Sequence, residues 1–508
     1  MQVLMLSWEY PPRNVGGLGR HVEGLAEALV SQGVQVEAVT CGVSGASSRD
    51  TVRGVRINRV ESYPVNAPDF VTWVLQLNFG MVEQAAKIIN QRRPTLIHAH
   101  DWLVAFAGGT LKHLYRLPLV ATIHATEAGR NHGLYTDTQR YINSVEWWLT
   151  YEAWRVIVCS QHMKHEVQGL FQLPTDKIEV IANGVDGEKL KGPDPDPRWR
   201  QWYARPEERI VFFVGRLVQE KGTHLLIEAL PRILAACPQA KLVIAGQGPA
   251  EAHLKNRAWA LGVAHKVYFA GYVDDATRNA LYKTAEVAVF PSLYEPFGIV
   301  ALEAMATGTP VVASDTGGLR EIITPGVDGL LFPSGHVVSL ADNVIRVLSD
   351  SDLAARLRQS GRDLVQKVYD WKQVAQKTAQ LYQRVEQEYR QSPWRPRLAY
   401  WPGFASRSTS SRLGKGLAGK GTNMATRLTR PANPTNLAQG AAAAQKGAHW
   451  GAISSSLASR GASSAEDLGP LPAAAAETPG SPAHWASRYS LVEKRAENIN
   501  YQRGGENW

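Results

Sequence analysis

Five hundred and eight residues are too many for one compact core, so two domains and an appendage are expected. Hydrophobic residues at 44% and charged ones at 20% exclude wholesale disorder, and no apolar run reaches the length of a membrane span. The net charge of +9 would suit a nucleic-acid partner if it covered the body, but residues 393–508 hold 14 Lys and Arg against 6 Asp and Glu, which leaves only +1 for residues 1–392. Nucleic acid is therefore not an expected partner.

Short β-branched runs alternate with helical patterns from the start: VLMLS (3–7), VQVEAVT (34–40), TLIHA (95–99), LVATIH (119–124), VIVCS (156–160) and IEVIAN (178–183). Runs this apolar suit strands covered on both faces. Between the first two, Leu18, Val22, Leu25 and Leu29 recur at helical spacing and Gly33 follows as a C-cap, the pattern of a crossover helix. Strand, helix and strand repeated in this way predict an α/β fold with a doubly wound parallel sheet over residues 1–190.

The alternation pauses in a proline-rich linker, 191–208. It resumes over 209–370 with IVFFVG (210–215), KLVIAG (241–246), KVYFAG (266–271), VAVFPS (287–292) and PVVAS (310–314), a second Rossmann-like domain. Helical patterns at 337–369 and 371–390 complete the patterned part. From residue 393 the composition turns to Ala, Gly, Ser, Pro and Arg without a period, which predicts a disordered basic tail over 393–508. Three cysteines (Cys41, Cys159, Cys237) lack metal-ligand spacing, and Met1 leads into Val3–Leu6 without a signal-peptide pattern, so a reducing, cytoplasmic setting is expected.

Three strand-to-helix loops carry candidate chemistry. In SWEYPPRNVGGLGRH (7–21), Gly16 and Gly17 allow close backbone approach and the next amides open a helix, an expected phosphate dock. Gly17, Gly19 and Glu37 resemble half of a dinucleotide fingerprint. The loop is too long for one, however, and its third glycine position is Val22. In FPSLYEPFGIVALEAMATGTPVV (290–312), a helix is expected to begin near Gly298, turning the amides of Gly298, Ile299 and Val300 toward a ligand. Glu295 stands at the mouth, and Glu303, eight residues on, is able to accept hydrogen bonds from a ribose diol. In VGRLVQEKGTH (214–224), Arg216 and Lys221 flank the turn, and two cations at a sheet edge suit a diphosphate leaving group.

Together with HAHDW (98–102), TIHATEAGR (122–130), NGVD (183–186) and AGQGP (245–249), these segments resemble a retaining glycosyltransferase of family 4, the glycogen-synthase-like group of GT-B architecture, over about residues 1–390. EPFG with a second glutamate eight residues after the first is the most specific part of the match. The HAHDWL and TIHATEAGR segments look closest to bacterial α-glucan glucosyltransferases.

The resemblance implies two Rossmann-like domains facing a cleft, the first for the acceptor and the second for the nucleotide-sugar, with a final helix (371–392) crossing back to the first. Catalytic roles would fall to Arg216 and Lys221 on the diphosphate, Glu295 on the donor sugar and His124 beside the anomeric centre. Gly16, Gly17, Gly298, Ile299, Val300 and Glu303 would hold the rest of the donor, and Gly271 and Tyr272 would meet its base. Asp101, Trp102 and Tyr135 would meet the acceptor, the last two as stacking platforms. The implied reaction moves glucose from ADP- or UDP-glucose to a glycan such as an α-1,4-glucan, with no cofactor and no metal.

Other readings remain open at this stage: a lipid-linked or small polyol acceptor, or an epimerase or noncatalytic nucleotide-sugar-binding protein on the same fold. A glycoside hydrolase has no use for phosphate-binding loops. Asp194 and Asp196 read as a solvated turn between prolines, not a metal pair, and His98, His100 and Asp101 as packing or acceptor-side groups. Trp147, Tyr151 and Trp154 read as a buried helix stripe. The tail, with its +8 charge and Trp394, Trp401, Trp450 and Trp485, is either idle or a contact for an anionic membrane surface or a glucan.

Overall fold

The computed structural model describes residues 1–13, 16–63, 65–190 and 197–395. Asp194, Asp196 and residues 396–508 lie outside the described residues, and with them most of the expected tail.

The first sheet contains β1 (Gln2–Leu6), β2 (Gln35–Cys41), β3 (Arg49–Val52), β4 (Val55–Val60), β5 (Leu96–His100), β6 (Leu119–Ile123), β7 (Arg155–Val158) and β8 (Ile178–Val180) in the order β3-β4-β2-β1-β5-β6-β7-β8. Every neighbouring pair is parallel except β3 with β4. The second sheet, β9 (Arg209–Val214), β10 (Ala240–Ala245), β11 (Val267–Gly271), β12 (Val287–Phe290), β13 (Val311–Ser314) and β14 (Leu330–Phe332), is parallel throughout, in the order β11-β10-β9-β12-β13-β14. The chain winds outward from β1 and from β9, first one way and then the other, which is the doubly wound Rossmann arrangement. Inner strands such as β1, β5, β6 and β12 are buried along nearly their whole length, as parallel strands under helices on both faces must be.

The hydrophobic pattern left three strands unseen. β3 and β4 form an edge hairpin whose turn, Arg53 and Gly54, has positive φ at both residues; β3 is exposed throughout, so it has no apolar side to announce it. β14 is only three residues long. The helical pattern at 337–369 is two helices, Val337–Ser349 and Ser351–Val368, divided at Asp350, whose carboxylate caps the second through the Leu353 amide.

The last helix, Trp371–Gln391, packs on the first-sheet side of the molecule. Its Trp371 ring fills the space beside Gly24 and Gly184, where a Cβ would stand 2.3 Å and 2.6 Å from the indole. Tyr382 meets His98 Nδ1 at 2.7 Å, Glu388 pairs with Arg155 and Trp154, and the Tyr389 hydroxyl donates to the Arg116 carbonyl. Beyond this helix, packing against the first domain continues to Trp394. Trp394 lies under the Arg116 guanidinium, 4.4 Å from the ring centre.

Candidate functional site

In each sheet the winding reverses beside its first strand, between β1 and β5 and between β9 and β12, and the crevice beyond the carboxyl ends of such strands is where open α/β sheets bind ligands. The segments picked out in the sequence follow β1, β5, β6, β9 and β12, so they collect at these two edges.

In the second unit the loop after β9 ends in a short turn, Gln219–Lys221, and Gly222 begins the helix Thr223–Ala236 at φ +64°. A Cβ on Gly222 would stand 1.9 Å from the Pro291 carbonyl oxygen, so only glycine lets this loop lie against the loop after β12. That close approach brings Lys221 Nζ to 2.7 Å from Glu295 Oε2, and Ser292 Oγ donates to the same oxygen at 3.0 Å. Glu295 is 7% exposed. Arg216 is half exposed and stands 3.6 Å from Glu220. Gly298, at φ +108°, turns the chain into the helix Ile299–Thr307, whose amino end lies beside Glu295. Gly271 (φ +66°) ends β11 and the exposed Tyr272 follows it at the same edge.

Glu303 lies one turn into that helix and is nearly buried. Both its oxygens are engaged: Arg20 Nη1 stands 2.7 Å from Oε1, and the Tyr282 hydroxyl donates to Oε2 at 3.2 Å, with Arg278 Nε at 3.6 Å. Glu303 thus has partners that the sequence reading did not foresee. Arg20, Tyr282, Arg278 and Ser292 were all missed: Tyr282 and Arg278 stand outside the motifs, while Arg20 and Ser292 stand inside two of them but meet their carboxylate partners only through folding.

The glycine-rich loop after β1 holds a carboxylate of its own. Glu9, from the same loop, is buried and accepts from the Gly16 amide at 3.1 Å and the Gly19 amide at 3.3 Å. The helix Gly17–Ser31 therefore already has an anion near its amino end, and a phosphate would have to compete with that carboxylate. Gly17 itself packs close to Ile299, a Cβ there standing 3.4 Å from its side chain.

After β5 and β6, Asp101 (φ +61°) accepts from the His124 amide at 2.7 Å, and His100 Nδ1 lies 3.2 Å from His124 Nε2. Burial lowers the pKa of His124 to about 3 and takes His21, His98 and His100 well below the ordinary value, so this histidine floor is neutral. His21, His100 and His124 offer ring nitrogens that all lie within 4.8 Å of one another, a grouping of ligand atoms that could hold a metal ion. Burial also raises Asp101 to about 6 and Glu146 to about 8 despite Arg130 nearby.

The acceptor-side aromatics divide. Tyr135 is 70% exposed, but Trp102, expected to offer a stacking face, is 3% exposed and meets Phe70 edge-on. Trp102 opens a short helical turn, Trp102–Val104, that is buried throughout and packs into the core of the first sheet. Trp147 and Tyr151 are half-buried, not a core stripe; the buried side of their helix, Asp137–Glu152, is Ile142, Val145, Glu146, Leu149 and Thr150, and Trp154 lies beyond its end.

Comparison with known proteins agrees with this geometry. Residues 15–189 match the model for Glycosyltransferase Family 4, and residues 196–364 that for Glycosyl transferases group 1. An uncharacterised glycosyltransferase of Methanocaldococcus jannaschii is 42% identical over 389 residues, covering 75% of this chain and 98% of its own. The glycogen synthase of Mycobacterium tuberculosis is 38% identical over 413 residues, 78% of this chain and 98% of its own. Among solved structures, sucrose-phosphate synthase from Thermosynechococcus elongatus superimposes with a TM-score of 0.66 at 26% identity, over 76% of this chain and 98% of that one.

Proposed function

Since the chain belongs to the family 4 and group 1 glycosyltransferases, we propose that it transfers glucose with retained α-configuration from ADP- or UDP-glucose to the non-reducing end of an α-1,4-glucan. The observation that carries the reading is the Lys221–Glu295 pair, 2.7 Å apart where the loops after β9 and β12 meet. It sets a cation for a leaving diphosphate next to a carboxylate for sugar hydroxyls. The 38% identity to a glycogen synthase supports the glucan acceptor.

In this mechanism the bond from the anomeric carbon to the diphosphate oxygen breaks as the acceptor hydroxyl oxygen bonds to the same face. The hydroxyl proton passes to the departing phosphate. Negative charge grows on that phosphate, and Lys221 and Arg216 offset it without any reorganisation of solvent. The Gly298, Ile299 and Val300 amides face the same diphosphate at a helix amino end. Glu295 accepts from the donor sugar's hydroxyls, and Glu303 from the ribose. His124, neutral and anchored through its amide on Asp101, holds the donor sugar beside the reacting carbon. Asp101, Trp102 and Tyr135 border the acceptor, Tyr135 alone with an open ring face.

The test is to incubate the protein with ADP-glucose or UDP-glucose, with and without glycogen, and to follow nucleoside diphosphate release and chain length. Release that depends on glycogen, with new α-1,4 linkages, is expected. Release with a small polyol but not with glycogen would overturn the glucan acceptor, and no release with any nucleotide-sugar would overturn the transfer itself.

A further inference from the structure

The first turns of two helices from different sheets face each other. Gly17, at the start of the helix under β1, packs against Ile299, at the start of the helix after β12. One turn deeper in each, Arg20 meets Glu303. The Arg20 fork divides, Nη1 going to Glu303 at 2.7 Å and Nη2 to Asp275 at 3.3 Å, while Nε is buried with no partner among the described residues. Arg278 completes the group, 2.6 Å from Asp275 and 3.6 Å from Glu303. Two guanidinium groups thus balance two carboxylates. Glu303 needs no further cation, and what it still has to offer a ligand is acceptor capacity for neutral hydroxyl groups.

We propose that Arg20 is a positioning residue that couples closure of the first sheet's helix onto the second unit to recognition of the donor's ribose, by holding Glu303 in the orientation that accepts the diol. The proposal rests on the nucleotide-sugar reading above. Its logic is steric and electrostatic. A carboxylate gripped at one oxygen by Arg20 and at the other by Tyr282 has its plane fixed, so its remaining lone pairs point in set directions. Without Arg20 the carboxylate keeps Arg278 and Tyr282 and stays buried and compensated, but its plane is free to turn and the link across the two helices is gone. Lysine would keep the charge, yet a single ammonium does not reproduce the divided fork.

The experiment compares wild type, Arg20→Ala and Arg20→Lys for calorimetric binding of ADP and UDP and of their 2′-deoxy forms, with kcat and KM for the nucleotide-sugar and a melting curve for each protein. A site built to hydrogen-bond a hydroxyl rejects the analogue that lacks it, so wild type is expected to prefer the ribonucleotide by about 10-fold or more. In Arg20→Ala that preference should fall to about 2-fold and the donor KM rise by roughly 10-fold, while saturated kcat changes far less. Arg20→Lys should lie between. Full ribose preference in a folded Arg20→Ala or Arg20→Lys protein would overturn the proposal and leave Arg20 as a plain interhelix ion pair. Failure of wild type to bind any of the nucleotides would instead overturn the donor reading on which it rests.

Discussion

Replacing Lys221 by alanine separates two effects that the structure places on one ammonium group. Lys221 Nζ is 2.7 Å from a Glu295 carboxylate that is 9% exposed at the side chain and otherwise held by Ser292. Breaking a buried pair by removing one partner costs about 3–5 kcal/mol. Lys221 is itself 22% exposed, so water follows the deletion and the loss should sit at or below the low end, ~2–3 kcal/mol. For a domain of this size that corresponds to a fall in Tm of roughly 4–12 °C. The catalytic effect should be larger in proportion: one preorganised charge partner of a leaving group typically contributes about 3 kcal/mol, or roughly 10²-fold in kcat. A second substitution, Glu295→Gln, tells the two apart. If Lys221 only neutralises Glu295, the double variant should recover both Tm and the turnover of Glu295→Gln alone. If Lys221 also meets the leaving phosphate, Tm should recover and turnover should fall further. Nucleoside diphosphate release, measured well below the lowest Tm, decides it. Near-normal turnover in folded Lys221→Ala would refute the diphosphate assignment.

Burial holds Glu146 protonated up to about pH 8 in the folded protein, while the unfolded chain loses that proton near an ordinary carboxyl pKa, so stability should fall as pH rises through that window, by up to about 1.4 kcal/mol per pH unit. Glu146→Gln, which keeps an acceptor for the Glu127 amide, should flatten this slope in denaturant titrations from pH 5 to 8; an unchanged slope would refute the buried-proton account. A chain ending after Arg395 should keep Tm and turnover on a small acceptor, whereas one ending at Ser392 loses the Trp394–Arg116 contact and should melt a few degrees lower; equal melting curves would show that the contact carries no stability. Excess EDTA should leave turnover unchanged, because the charge of the diphosphate is assigned to Arg216 and Lys221; activity lost on chelation and restored by Mg²⁺ would overturn that assignment.

The sequence by itself determined the architecture and the address of the site. The apolar runs from VLMLS to PVVAS can be satisfied only in parallel strands covered on both faces, and a parallel doubly wound sheet brings the segments after β1, β5, β9 and β12 to its carboxyl edge wherever they lie in the chain. Local chemistry was equally legible where it depends on neighbours in sequence, as with Gly298, beside which the expected helix begins. Only the tertiary structure decided the partners. Arg20 meets Glu303 across 283 residues, and Trp371 fits beside Gly24. Trp102 turns inward while Tyr135 stays open, a difference of burial that two aromatic residues after strands do not reveal in sequence. Glu9 stood in plain sight in SWEYPP, yet its hold on the Gly16 and Gly19 amides depends on the loop doubling back on itself. Hydrophobic periodicity encodes which face of an element is covered, but the distance and direction between two polar groups are set by how the elements pack, and that information is spread over the whole core.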